Sequence, residues 1–216
     1  MKYNYYICDV FTDKRFGGNQ LAVLPDARGL SDTQMQQIAR EFNFSESTFV
    51  FPPDKGNTRK VQIFTPTREV PFAGHPNIGT AFVLATAGEL GRFGDSTQVV
   101  FEEKAGLVRI SIRKSEQGAI SCELKAPQVF SLGQELPAEM LAGALCLQAD
   151  EIVTDTHKPI VASVGLPFVM VELRDRATLQ KADINPMGFQ QIAEQGVMPD
   201  IHLYVRSGDE FDIRTR

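Results

Sequence analysis

The stretch "PFAGHPNIGTAFVLATAG", residues 71–88, combines a sharp turn with an apolar helical segment. Apolar side chains cover most of the circumference of the predicted helix, residues 76–87, which is typical of a helix buried in a core. Pro76 suits the first helical position, where its missing N–H costs nothing, and Gly88 ends the helix. The sequence therefore predicts that this helix is a core element of the fold.

The N-terminal end of this helix is a candidate anion-binding site. Its first-turn N–H groups have no partners within the helix, and the helix dipole favours an anionic acceptor such as a carboxylate or phosphate. Gly74 would let a ligand approach the backbone, and His75 adds a donor that titrates near neutral pH. The alternative is that a side chain or water caps the helix and that His75 is an ordinary core residue.

Glu46, in "FNFSESTFVFPP", is a candidate general acid/base. A carboxylate desolvated by neighbouring aromatic rings suits proton transfer. The rings expected to shield it belong to Phe42, Phe44, Phe49 and Phe51. The alternative is an exposed turn residue, or an ion-pair partner of Arg40 or Arg59. Glu102 and Glu103, by contrast, are expected to be surface charges.

The order of predicted elements favours an α+β fold. Strand patterns outnumber helical ones and come in runs rather than in strict alternation with helices. Ser31 is predicted to cap an early helix, and Asn185 with Pro186 to open a late one. The pattern restarts near residue 126, which predicts two domains of similar architecture, 1–126 and 127–216. The second has no counterpart to the buried helix at 76–87.

Composition excludes several classes of protein. The net charge is −5 with both signs scattered, so no basic surface for nucleic acid is expected. The longest apolar run, residues 78–87, is too short to span a membrane. The N-terminus lacks the pattern of a secretory signal.

Cysteine and histidine spacing gives two further expectations. Cys8, Cys122 and Cys146 lie far apart, so we expect reduced, small buried side chains in a cytoplasmic protein. His75, His157 and His202 occupy unrelated contexts, so no metal site is predicted.

Three stretches together resemble the PhzF family of phenazine-biosynthesis isomerases: "DVFTDKRFGGNQLAV", "MQQIAREFNFSESTFV" and "IFTPTREVPFAGHPNIGTAFVL". The resemblance implies a diaminopimelate epimerase-like fold, in which two similar halves each curl a mostly antiparallel sheet around a central helix. It also implies that Glu46 is the catalytic acid/base and that Gly74 and His75 contact the substrate. Asn19, in the Gly-Gly-Asn turn, is a further candidate contact at the same site.

The function implied by this resemblance is a cofactor-independent isomerase. Glu46 would move a proton, and with it a double bond, on a small carboxylated metabolite. Racemases of the same fold use two thiols, but Ala73 occupies the position of the first thiol, which disfavours that chemistry here. The alternative function is a non-catalytic small-molecule-binding or scaffolding protein of the same fold. Such folds often pair through exposed sheet surface, so a homodimer is one expectation for the oligomeric state.

The sequence departs from the family in its second half. Family members are usually longer, and a Glu-Asp-Pro-Ala-Thr-Gly-Ser-type motif opens their second central helix. This sequence reaches Arg216 without that motif. We therefore expect the second half to be incomplete.

Overall fold

The computed structural model describes residues 2–208 and 211–216. These residues form two compact units, with the division between Gln128 and Val129. Each unit contains a sheet and helices of its own. In the described ranges, no helix is long and apolar enough to cross a membrane.

The described residues of the first unit form one sheet of eight strands with two helices. In chain order the elements are β1 (Tyr6–Val10), β2 (Asn19–Leu24), α1 (Asp32–Phe42), β3 (Glu46–Phe51), β4 (Arg59–Phe64), β5 (Glu69–Val70), α2 (Gly74–Thr86), β6 (Ser96–Glu103), β7 (Gly106–Lys114) and β8 (Ile120–Lys125). The strand order is β1-β2-β3-β4-β6-β7-β8, and β5 pairs with β4. The pairs β2–β3 and β4–β6 are parallel and the others are antiparallel.

The sheet of the first unit curls around α2. This helix contacts β1 and β8, the two edge strands, as well as β2, β3 and β7 between them. Its apolar surface explains the curl, because a helix that is apolar on most sides must be covered on most sides. The predicted α+β architecture, a mostly antiparallel sheet curled around a central helix, is confirmed in this unit.

The predicted limits of α2 were wrong at its start. The helix begins at Gly74, so Pro76 is its third residue and not its first. Ala73 is the N-cap, with extended backbone, and the side-chain Nδ2 of Asn77 donates to the Ala73 carbonyl at 3.0 Å. Pro76 is tolerated at this position because the N–H it lacks would have no partner in the first turn.

α1 is confirmed with its predicted cap. Ser31 and Gln34 form a reciprocal capping box, and Asn43 ends the helix in the left-handed region. Met35 and Ala39 are buried in an apolar cluster with side chains from β2, β3 and β4: Leu24, Phe49 and Phe64.

Glu102 was expected to be a surface charge, and this was wrong. Its side chain is buried, and its carboxylate accepts hydrogen bonds from the backbone N–H groups of Asp54, Lys55 and Asn57 and from the Asn57 side chain. Burial acts to raise the pKa of Glu102, but the hydrogen bonds outweigh it and hold the pKa below its usual range. The ionised side chain therefore fixes the loop that connects β3 to β4.

The second unit contains a five-stranded sheet with three α-helices among the described residues. Its elements are β9 (Ser131–Glu135), α3 (Ala138–Ala144), a short 3₁₀ turn (Ala149–Glu151), β10 (Ile160–Ser163), β11 (Pro167–Glu172), α4 (Arg176–Lys181), α5 (Pro186–Glu194), β12 (Ile201–Arg206) and β13 (Ile213–Thr215). The strand order is β13-β12-β11-β10-β9, with β11 and β12 parallel. Asn185 caps α5 with Pro186 at its start, as predicted.

A polar cluster lies where the parallel strands of this unit end. Glu172 is buried and accepts hydrogen bonds from Tyr204 Oη at 3.0 Å, from Arg206 Nε at 2.9 Å and from Thr156. His157 Nε2 lies 2.6 Å from Tyr204 Oη. The cluster ties the loop before β10 to the sheet. Across residues 2–208 and 211–216, no three His, Cys, Asp or Glu side chains group as metal ligands.

A close helix contact in this unit gives a test of its packing. A Cβ at Gly188 of α5 would lie 2.4 Å from Ala144 Cα and 2.8 Å from Ala144 N, which are backbone atoms of α3. We expect Gly188→Ala to lower the free energy of unfolding by about 1–3 kcal/mol, because the two helices must move apart. Thermal and denaturant unfolding measure the change.

The matched control is Gly143→Ala, also in a helix of this unit. A Cβ at Gly143 would meet no atom within 4 Å. Alanine is a better helix former than glycine. The free energy of unfolding of this variant should therefore equal that of the wild type or exceed it by up to ~1 kcal/mol. Equal stability of the two alanine variants would contradict the packing described for α3 and α5.

Candidate active site

Three segments of the first unit meet at one point: the starts of β2 and β3 and the first turn of α2. The parallel register of β2 and β3 places Leu21 opposite Glu46. His75, the second residue of α2, has its Nε2 atom 3.4 Å from the carbonyl oxygen of Gln20. The fold therefore brings together Glu46 and His75, which are far apart along the chain.

Glu46 and His75 form a shielded pair. The Oε2 atom of Glu46 lies 3.3 Å from Nδ1 of His75, and the two side chains are 18% and 8% exposed. Oε2 is itself buried, and it makes no hydrogen bond of acceptable geometry with the part of the chain that is described. The carboxylate is thus held beside the imidazole with one oxygen whose hydrogen-bonding capacity is unused.

The shielding of Glu46 does not come from three of the four predicted phenylalanines, Phe42, Phe49 and Phe51. Phe49 is buried in the α1 cluster, and Phe42 and Phe51 pack against that cluster. Side chains alternate along a strand, so Glu46 shares a face with Thr48 and not with Phe49. Thr48 Oγ1 lies 2.8 Å from Thr80 Oγ1 of α2, which identifies this face as the one toward α2. The alternative partners also differ from expectation, since Arg40 donates to Pro66 and Arg59 to Thr58 and Glu89.

Burial controls the charge of His75. Desolvation lowers its pKa below the usual value, while Glu46 and the Gln20 carbonyl act in the opposite direction. His75 is therefore neutral at pH 7. Because the Gln20 carbonyl can only accept, we assign the hydrogen of neutral His75 to Nε2. Nδ1 and Glu46 Oε2 are then two acceptors in contact, so neither can donate a hydrogen bond to the other.

Gly74 has no structural reason to be glycine. A Cβ at this position would meet no atom within 4 Å, and the residue is not in the left-handed region. No side chain of the described residues caps the N-terminus of α2. The first turn of α2 therefore has no side-chain cap within the described residues, and it leaves space at Gly74, next to the Glu46–His75 pair.

Asn19 lies beside this pair in the chain fold. It begins β2, directly before Gln20, and its Oδ1 atom accepts a hydrogen bond from Ser45 Oγ at 3.0 Å. Ser45 directly precedes Glu46. Asn19 is exposed at the edge of the site. Its contact with a ligand stays a prediction.

The cysteines are not the buried apolar residues that were expected. Cys8 and Cys122 are partly exposed and line a pocket of about 270 Å³ between β1, α2 and β8, and Cys146 is exposed. Partial burial raises the pKa of Cys8 and of Cys122 to about 11, with the charge of Asp9 adding to the effect at Cys8. Both are therefore neutral thiols at pH 7, which disfavours thiolate catalysis at these positions. All three cysteines are free.

Two polar residues near the site were missed from the sequence, Glu103 and Asn77. Glu103 was expected on the surface, but both of its carboxylate oxygens are buried. Burial raises the pKa of Glu103 to about 8, and the side chain of Asn77 in α2 opposes the shift. The signal was present in the sequence, because Glu103 continues the alternation of the buried Val99 and Phe101 along β6.

Known proteins are similar to this chain in both sequence and fold. An uncharacterized isomerase of Mesorhizobium japonicum is 37% identical over 195 residues, which are 88% of this chain and 62% of the relative. The trans-2,3-dihydro-3-hydroxyanthranilate isomerase of Pseudomonas aeruginosa is 34% identical over 169 residues, 77% of this chain and 58% of that protein. The chain thus spans about three fifths of the length of these relatives.

A solved structure supports the same relationship. The phenazine biosynthesis protein of the PhzF family from Bacillus anthracis superposes with a TM-score of 0.83 at 25% identity, over 100% of this chain and 72% of that one. The sequence model of the PhzC-PhzF family, phenazine biosynthesis-like protein, matches residues 8–216. The resemblance drawn from the sequence is confirmed by these matches, and the chain belongs to the PhzC-PhzF family.

Proposed function

We propose that this protein is an isomerase that moves a proton, and with it a carbon–carbon double bond, on a small carboxylated metabolite. The observation that carries the proposal is the buried Oε2 atom of Glu46, which has no hydrogen-bond partner among the described residues and lies 3.3 Å from His75. Leaving a buried carboxylate oxygen unsatisfied costs free energy, which favours a role in binding or proton transfer. The names of the relatives support the same class of reaction.

The proposed reaction balances without an external oxidant or reductant. Glu46, as the carboxylate, takes a proton from one substrate carbon, and the electrons of that C–H bond form a new double bond. The electrons of the original double bond take up a proton at the distal carbon. Glu46, protonated in the first half of the step, returns this second proton directly or through a relay. The substrate and product are isomers, so proton transfer alone suffices and no cofactor is required.

The first turn of α2 would hold the substrate. Its free N–H groups and the positive end of the helix dipole favour a carboxylate. Gly74 leaves space for that carboxylate at the backbone, and Asn19 adds a polar side chain at the edge. The substrate class is therefore a small carboxylate with a carbon acid near the acid group. The dihydrohydroxyanthranilate of the named relatives is one compound of this class and a first candidate for assay.

Replacing the proposed base gives the main test. We expect Glu46→Gln to lower the turnover of a substrate by about 10²–10⁴-fold, because an amide cannot accept the carbon-bound proton. The assay follows product formation and deuterium incorporation from heavy water over a panel of small unsaturated carboxylic acids, including trans-2,3-dihydro-3-hydroxyanthranilate.

The control for this test is Glu41→Gln, which changes an exposed glutamate of α1. It should leave turnover and deuterium exchange as in the wild type. Unchanged exchange in Glu46→Gln would remove Glu46 from the mechanism. Thermal stabilisation of the wild type by a panel compound, without turnover or exchange, would instead favour the alternative function, a non-catalytic small-molecule-binding protein.

A second test addresses the role of Gly74. Gly74→Ala should fold with unchanged or slightly higher stability, since a Cβ there meets no atom within 4 Å. We expect its KM to rise roughly tenfold, or ~1.4 kcal/mol of binding free energy, because the methyl group occupies the space proposed for the substrate carboxylate. Steady-state kinetics and thermal unfolding measure the two quantities. Gly94→Ala, also with no atom within 4 Å, is the control, and an unchanged KM in Gly74→Ala would place the carboxylate elsewhere.

A further inference from the structure

Glu103 and Asn77 form a second polar pair at the first turn of α2. The oxygens Glu103 Oε1, Glu103 Oε2 and Asn77 Oδ1 are all buried, and none has a hydrogen-bond partner within the described residues when Glu103 is treated as a carboxylate. The two side chains nevertheless interact, since Asn77 acts on the ionisation of Glu103. Three unsatisfied acceptors in one buried place are unusual in a folded protein.

The protonation state of Glu103 resolves this arrangement. A carboxylate can only accept hydrogen bonds, so it cannot satisfy Asn77 Oδ1. A neutral carboxylic acid donates one hydrogen bond through its O–H and still accepts others. An acid and an amide facing each other can therefore exchange two hydrogen bonds, one in each direction. Asn77 retains a donor for this purpose, because Nδ2 carries two hydrogens and uses one for the Ala73 carbonyl.

We propose that Glu103 is held as a neutral carboxylic acid whose O–H donates to Asn77 Oδ1, and that this bond positions the first turn of α2. Asn77 would then join Glu103 of β6 to the Ala73 carbonyl at the helix N-cap. Gly74 and His75 lie between Ala73 and Asn77 in the chain. Glu103 is therefore a positioning residue that fixes His75 relative to Glu46. Its effect on catalysis rests on the proposed function, whereas its protonation does not.

The charged groups around Glu103 have other partners. On β6, Glu102 is bound by the loop between β3 and β4, and after β6 Lys104 pairs with Glu69 of β5. On α2, His75 faces Glu46 and the Gln20 carbonyl. Of the described residues on these elements, Asn77 alone acts on Glu103, so burial dominates and raises its pKa to about 8.

The pH dependence follows from the sign of this shift. In the unfolded chain Glu103 ionises at the ordinary value for glutamate, near 4.5. Between that pH and about 8 the folded protein binds the extra proton, so stability falls as the pH rises through this window. The stabilisation is complete below pH 4.5 and is lost above the folded pKa. Above pH 8 the O–H donor disappears, and the first turn of α2 loses its link to β6.

The test is Glu103→Gln, whose amide donates to Asn77 Oδ1 at every pH. Thermal unfolding is measured from pH 5 to pH 9 for the wild type and the variant, with no substrate. We expect the Tm of the wild type to fall relative to Glu103→Gln as the pH rises. The matched control, Glu102→Gln, changes an adjacent glutamate whose pKa is lowered, so its Tm deficit should shrink as the pH falls. Parallel Tm curves for the wild type and Glu103→Gln would overturn the proposal.

Activity supplies the readout for positioning. The wild type should lose kcat above about pH 8, while Glu103→Gln keeps its activity there, and Glu103→Leu loses activity at all pH values. An alkaline fall that persists unchanged in Glu103→Gln would overturn the positioning role. The proposed function fails separately, if Glu46→Gln retains full deuterium exchange, and the Tm result for Glu103 would then still decide whether its carboxyl group is neutral.

Discussion

The confinement of α2 within the curled sheet is the constraint on which the site depends. A helix surrounded by strands must satisfy the polar groups on its surface with side chains from those strands. Three polar residues of α2 meet such partners: His75 lies against Glu46, Thr80 against Thr48, and Asn77 against Glu103. These contacts are polar exceptions in a largely apolar interface between α2 and the sheet. The proposed chemistry uses the one of these pairs that combines an acid with an imidazole at the N-terminal end of the helix, Glu46 and His75.

The adjacent residues Glu102 and Glu103 show how partners, more than burial, decide charge. Both are at the end of β6 and point to opposite faces of the strand. Glu102 meets a loop whose backbone N–H groups converge on its carboxylate, so the charged form is stabilised. Glu103 meets the single amide of Asn77, so desolvation prevails and the neutral form is favoured. Two identical side chains one residue apart therefore adopt opposite ionisation states at neutral pH.

Local patterns in the sequence predicted local structure well, and long-range contacts less well. The capping box at Ser31 and the Asn185–Pro186 helix start depend on residues within one turn, and both are as expected. Strand β9 was not predicted, because all of its residues are exposed and its sequence has no apolar alternation to detect. Two of the phenylalanines expected around Glu46, Phe49 and Phe51, lie on the other face of β3, an error that the two-residue period of a strand would have prevented. The partner of Glu46 depends on the pairing of β2, β3 and α2, which no local pattern encodes.

Glu103 and Glu46 both have buried carboxylate oxygens without a hydrogen-bond partner among the described residues, but they differ in how those oxygens can be satisfied. Glu103 and Asn77 can satisfy each other once a proton is added to the acid, so their burial can be maintained without a ligand. The Oε2 atom of Glu46 has a different neighbour, His75, whose ring already uses Nε2 toward Gln20. Oε2 and Nδ1 therefore face each other as two acceptors, and Oε2 has no hydrogen-bond partner among the described residues. The first pair is satisfied by one fixed proton, whereas the second keeps an unsatisfied acceptor beside the N-terminal end of α2, as the proposed acid/base requires.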